Sequence, residues 1–241
     1  MTNTYSQHAE VCTKFYELTL DAPAVADFVF EKIGGVSGQR ALFVGGMFDI
    51  AASLLVKGLD MVVVDYTDEM VALGRSRLAK ALVVKADLRT LPFESEFDLV
   101  FVAGRVFTHM IQNTDLIAAL ESCKRSLRPG GRIFADNYEI SRIQKTNYFN
   151  GEVECQNEDA RIVRRSTTEM ISSDPFIVKW DASYQGHLYQ NEFSFSDSMH
   201  HRAFSRSEFA SYLSSVNLRV LQQGDNFDET SFYTTASSDH R

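Results

Sequence analysis

Five side chains in this sequence are of the types that handle protons, anions or ligand hydroxyls at an enzyme site: Asp65, Asp87, Arg105, His109 and His201. Asp65 and Asp87 each follow a short apolar run, Met61 to Val64 and Ala81 to Val84. Each acid thus stands at the strand end where an open parallel sheet presents residues to a ligand. The competing reading is that both acids only end strands and cap turns. His109 closes the segment Gly104-Arg105-Val106-Phe107-Thr108-His109, and an imidazole titrates near neutral pH, as a general base requires. A structural histidine hydrogen-bonded behind the strand is its alternative. Arg105 can hold a carboxylate or sulfate by two parallel bonds, or form a salt bridge to Glu94, Glu96 or Asp115. In His200-His201-Arg202, strand alternation turns one histidine inward and the other outward, which makes His201 the second candidate base. Tyr16, Tyr138, Trp180 and Tyr184 are placed to box an amine by cation–π attraction, with Asp136 and Glu139 flanking the same opening. No His-x-x-x-His or His-Glu pattern is present, so no metal site is expected, and no Ser/His/Asp or Cys/His set points to covalent catalysis.

The elements that must position these groups are legible from hydrophobic patterning. The 241 residues are enough for one domain carrying an insertion, and 44% hydrophobic with 23% charged residues is an ordinary globular composition. A net charge of -8 and a pI near 5.3 argue against a nucleic-acid partner. Cys12, Cys123 and Cys155 are odd in number and far apart, and are expected to be buried free thiols. Met1 to Glu10 is polar, unlike a signal peptide, and no run of about 18 apolar residues occurs, so a cytoplasmic protein without a membrane partner is expected. A helix from Asp21 to Ile33 ends at the Gly34, Gly35 and Gly38 cluster. Short buried strands follow at Ala41 to Val44, Met61 to Val64 and Ala81 to Val84, separated by helices at Ile50 to Lys57 and Asp68 to Lys80. A strand from Phe97 to Ala103, a helix from Asp115 to Leu127 and a strand from Arg132 to Asn137 continue an alternation that means a parallel sheet. From Ile140 to Phe204 the pattern becomes alternating and aromatic-rich, with antiparallel strands expected at Arg161 to Glu169, Phe176 to Ser183 and His187 to Phe195. A capping box, Ser205 with Glu208, opens a last helix before two closing strands.

The region Ala41 to Tyr138 resembles the class I S-adenosylmethionine (SAM) methyltransferases, and the whole chain resembles their small-molecule branch of sugar and amine N-methyltransferases. The resemblance rests on Ala41-Leu42-Phe43-Val44-Gly45-Gly46, Val64-Asp65-Tyr66-Thr67-Asp68-Glu69-Met70, Ala86-Asp87-Leu88-Arg89-Thr90-Leu91-Pro92-Phe93, Phe97-Asp98-Leu99-Val100 and Leu127-Arg128-Pro129-Gly130-Gly131-Arg132, in the family's order. It implies an α/β fold: a Rossmann-like, doubly wound, seven-stranded sheet, with an antiparallel insertion over the substrate site. In this division residues 1–139 form the core with N-terminal lid helices, 140–204 the roof and 205–241 the rest of the core. It implies cofactor contacts at Gly45, Asp65 (ribose hydroxyls) and Asp87 (adenine amino group).

One segment departs from the family. The loop after the first strand, acid-x-Gly-x-Gly-x-Gly in relatives, reads Phe43-Val44-Gly45-Gly46-Met47-Phe48-Asp49. Phe43 replaces the acid that supports the amino group of SAM, Met47 replaces a glycine, and Asp49 adds negative charge. A side chain at a position needing positive φ costs on the order of 1 kcal/mol or forces another path. The sequence therefore leads to the expectation of a small-molecule tailoring enzyme that does not use SAM, closing a ring or eliminating a group in natural-product biosynthesis, with no cofactor. The alternatives are a SAM-dependent N- or O-methyltransferase of a small molecule, and a non-catalytic subunit. The expected ligand carries an amine or an anionic group, and a homodimer or a partner protein is allowed.

Overall fold

The computed structural model describes residues 4–146 and 150–238. Helices α1 (Thr4–Gln7), α2 (Ala9–Thr19) and α3 (Ala22–Ile33) open the chain. Asp21 starts α3 by accepting from the Ala24 N–H, and Gly34 ends it in the left-handed conformation, φ 67°. Then come β1 (Arg40–Val44), α4 (Phe48–Val56), β2 (Asp60–Asp65), α5 (Asp68–Arg77), β3 (Leu82–Lys85), β4 (Phe97–Val102), α6 (Asn113–Ser126) and β5 (Leu127–Tyr138). Thr67 caps α5 by accepting from the Met70 N–H. After α7 (Ile140–Thr146) the strands β6 (Gly151–Gln156), β7 (Ala160–Ser173), β8 (Phe176–Leu188) and β9 (Asn191–Arg202) form a separate antiparallel sheet. Helix α8 (Arg206–Ser215), held by the Ser205–Glu208 capping box, leads to β10 (Arg219–Asp225) and β11 (Ser231–Ser237).

The main sheet has seven strands in the order β10-β11-β5-β4-β1-β2-β3, all running the same way except β11, which is antiparallel to its neighbours β5 and β10. The chain winds one way from β1 and the other way from β4, so the crevice above the β1/β4 pair is the switch point where such sheets receive ligands. Both faces are covered. Phe43, Phe101 and Phe134 pack toward α3 and α4, while Leu42, Val100 and Ile133 pack toward α6 and α8. The three cysteines are free and buried. No helix among the described residues is long and apolar enough to cross a membrane.

The roof differs from its sequence pattern at two points. The segment expected as one strand, His187 to Phe195, is split by a turn at Tyr189, whose φ is 54°. A left-handed tyrosine is uncommon and gives no turn signal in the sequence. Strand β6 is an edge strand, exposed at all but Cys155, and so lacks the alternation that marks a half-buried strand.

Candidate functional site

The loop after β1 is tight and unstrained. Gly45 takes φ 102°, which needs glycine, whereas Met47 sits at φ -79° and precedes the first turn of α4. The strain expected at Met47 is therefore absent, because the chain takes the other path, with negative φ at Met47, and enters the helix at Phe48. Met47 lies against Gly104, where an added Cβ would come within 3.0 Å of its Cγ. Gly46 packs closely on its neighbours: a Cβ there would stand 1.9 Å from Met70 Cε, so the methionine tip would have to move, and 3.6 Å from Asp65 Oδ2. Phe43 is fully buried, with its ring 6.4 Å from that of Phe101, so this position belongs to the core. Asp49, in the first turn of α4, lines a narrow hollow with Gly46, Met47 and Tyr16 of α2. Burial raises its carboxyl, against the pull of Arg77 at 3.9 Å.

The two strand-ending acids differ. Asp65 closes β2, and its Oδ1 accepts from the Thr67 N–H at 2.9 Å and hydroxyl at 3.1 Å. Burial nevertheless raises its pKa. Asp87 is engaged by Arg89 through three nitrogens, the shortest contact 2.6 Å, and these bonds hold its carboxyl below the usual range. Arg89 also reaches Asp115 at 3.2 Å. The acid read as an adenine acceptor thus has an in-chain partner two residues away.

After β4 the chain turns through Gly104 (φ 94°) and Arg105 (φ 61°), and both backbone N–H groups donate to Asp136 Oδ1 at 2.9 Å. Asp136 is fully buried at the end of β5, and burial raises its pKa. It therefore organises this loop, and Glu139 is bonded to Arg142 and Arg206, so neither acid is set out for a cationic amine. Arg105 bonds to Asp228, not to Glu94, Glu96 or Asp115, with its guanidinium 5.2 Å from the Tyr138 ring and 5.5 Å from the Phe227 ring. Burial alone would raise the Asp228 carboxyl. The Arg105 charge and the hydroxyls of Ser231 and Thr230 outweigh it and leave the group below its ordinary value.

The 3-10 turn Val106–His109 carries His109 beneath the roof, and the Thr108 hydroxyl donates to the Arg202 carbonyl at 2.8 Å, which ties this turn to the end of β9. As alternation predicts, His201 is buried and His200 exposed. The rings of His109 and His201 lie 5.5 Å apart, His201 stacks on Trp180 at 5.5 Å, and His109 meets the edge of Tyr5 at 6.1 Å. His109 keeps an accessible ring although it sits deep among protein atoms. That depth lowers its pKa to about 4, and the same cause lowers His201 to about 3. The expectation that His109 titrates near neutrality is therefore corrected: desolvation keeps both imidazoles uncharged at pH 7. The amine box also resolves differently. Tyr138 faces Arg105, Trp180 faces His201, Tyr184 stacks on Phe195 at 4.9 Å, and Tyr16 packs on Phe15. Tyr5 and Arg164 complete the cluster, marked in the sequence only by the alternation of Ile162, Arg164 and Ser166 along β7.

Imidazoles neutral in the fold and near their ordinary pKa when unfolded make the unfolded chain bind more protons between about pH 6.5 and about pH 3 to 4. Their contribution to stability is complete above that window and is lost as pH falls through it. Wild type is therefore expected to melt lower at about pH 4.5 than at about pH 7.5, and His201→Phe to show a smaller drop. Equal drops in the two proteins would place the titration elsewhere.

Comparison with known proteins bears directly on this arrangement. A family model described as a methyltransferase domain matches residues 45–131, from the altered loop to the start of β5. The ubiquinone biosynthesis O-methyltransferase of Acinetobacter baumannii (strain ACICU) is 26% identical over 153 residues, and the match spans 60% of each chain. Among solved structures, a SAM-dependent methyltransferase from Clostridium acetobutylicum aligns over 99% of this chain and 100% of its own, with TM-score 0.79 and 17% identity. The chain has the class I methyltransferase fold. The SAM-bound amino pentose methyltransferase of Micromonospora echinaspora aligns over 98% of this chain and 99% of its own, with TM-score 0.73 and 18% identity. These findings overturn the expectation of a scaffold without cofactor, because the methyltransferase match includes Gly45 to Asp49 of the loop on which that expectation rested, and a SAM-bound methyltransferase shares the fold. The physical reason is local: Met47 carries no strain, and Phe43 turns into the core. The expectation of SAM-independent ring closure or elimination has no further support.

Proposed function

We propose that the chain transfers the methyl group of SAM to a nitrogen or oxygen of a small molecule. The observation that carries this reading is the convergence of Gly45, Gly46 and Asp65 at one side of the switch-point crevice with two neutral imidazoles, His109 and His201, under the roof. When bound, SAM supplies a methyl carried on a sulfonium, which a lone pair of the acceptor attacks. The residues present fit its adenosine part. Gly46 lets a ligand approach the backbone, and Asp65 beside it is the acid to hold both ribose hydroxyls. Asp49, in the hollow with Gly46 and Met47, takes the place of the missing β1 acid toward the amino group. A neutral His109 accepts the N–H or O–H of the acceptor and leaves that atom's lone pair directed at the methyl group. Tyr16 and Thr13 of α2 line the same hollow as Gly46, Met47 and Asp49, where they would border the bound cofactor.

Titration calorimetry with SAM and S-adenosylhomocysteine tests the reading. Micromolar binding is expected, and Asp65→Ala should weaken it about 10- to 100-fold, the loss of a charged partner of two hydroxyls. A folded sample that binds neither compound removes the proposal.

A further inference from the structure

Three arginines occur within five residues of β7, and alternation sends them to two faces of the roof. Arg161 and Arg165 are exposed, and each pairs with a carboxylate of β6: Glu154 at 2.8 Å and Glu152 at 2.6 Å. Arg164 turns the other way, into the space under the roof. Its guanidinium lies 4.8 Å from the centre of the Phe15 ring and beside Tyr184, and its Nε is sealed from solvent without an acceptor. Among the described residues no carboxylate lies within ion-pair distance of it.

Tyr16, Tyr184, Cys12, His201 and, on β6, Cys155 feel the Arg164 charge, and none of these five is an anion at neutral pH. The Asp197 carboxylate acts on the same Cys12 thiol but forms no ion pair with Arg164. Burial raises both phenols and pushes the Cys12 thiol up to about 12, and His201 is neutral. A half-buried guanidinium set among phenols and ring faces lacks the directly paired counter-charge that would best offset its desolvation. Arg105, by contrast, is already matched by Asp228. We propose that Arg164 anchors an anionic group, a carboxylate in the first instance, on the small molecule that accepts the methyl group. The hydroxyls of Tyr16 and Tyr184 flank that anion, and His201 lies between it and His109. This assignment rests on the methyl-transfer reading for the identity of the ligand, while the anion site itself does not.

Phenylacetate and phenylacetamide, alike in shape and different in charge, are the probes. Trp180, the one tryptophan of the chain, lies beside His201 on the roof, so its fluorescence reports the site and calorimetry gives the affinities. With S-adenosylhomocysteine present, the wild type should bind phenylacetate at least about tenfold more tightly than the amide. Arg164→Gln should abolish that preference at an unchanged melting temperature, and Arg164→Lys should keep part of it. Equal affinity for the two probes, including no binding of either up to about 10 mM, overturns the proposal. So does a preference that survives Arg164→Gln. If Arg164→Gln instead weakens S-adenosylhomocysteine about tenfold, the guanidinium holds the cofactor's own carboxylate and the substrate assignment falls. A wild type that ignores S-adenosylhomocysteine yet prefers phenylacetate through Arg164 keeps the anion site and loses the methyl-transfer reading.

Discussion

Replacing Phe43 by the acid usual at the end of β1 is expected to destabilise the protein by about 3–5 kcal/mol, lowering Tm by roughly 10 °C. The ring of Phe43 is fully buried in the layer that also contains Phe101 and Phe134. A carboxylate there would remove the packing of an aromatic side chain and add a charge among apolar neighbours. Both effects have the same sign. Differential scanning calorimetry of Phe43→Asp checks the expectation, beside titration with S-adenosylhomocysteine. If the variant melts within a degree or two of wild type and binds more tightly, the side chain at this position can reach the crevice, and Phe43 is a lost cofactor contact rather than a core residue.

His109→Ala is expected to lower the methyl-transfer rate on the acceptor about 100-fold, with Tm close to wild type, because the ring is accessible and its removal leaves little apolar packing unmet. The rate in the wild type should hold as pH falls to about 5 and drop below it, since protonation near pH 4 removes the imidazole lone pair that accepts from the substrate. Release of S-adenosylhomocysteine measures both effects. An unchanged rate and melt would exclude His109 from the site and direct attention to His201. A parallel loss of rate and stability would make it a structural residue.

Much of the fold was legible because its signals are local. Alternating buried runs and helices specify the parallel core, while Asp21, Thr67 and Ser205 begin helices by bonds to backbone three residues on. Period-two patterning separated His201 from His200. Where pattern was weak, as on the exposed edge strand β6, or a turn used a left-handed tyrosine, the reading missed the element or its boundary.

By itself, the sequence determined the order and type of the core elements, the place of Asp65 at a strand end, the glycines after β1 and the general position of a roof over the crevice. Those properties follow from periodicity, capping and turn chemistry, which act over a few residues. Tertiary structure alone decided what each candidate group can do. Arg105 meets Asp228, 123 residues away, and so is not set out for an external anion, whereas Arg164 lies over the Phe15 ring with no ion-paired carboxylate among the described residues. His201 loses its ordinary titration because elements distant in sequence close over it. Met47 escapes strain because the backbone path, not the residue at that position, sets φ. Charge pairing and desolvation depend on which atoms come together in space, and one strand's pattern carries no record of its distant neighbours.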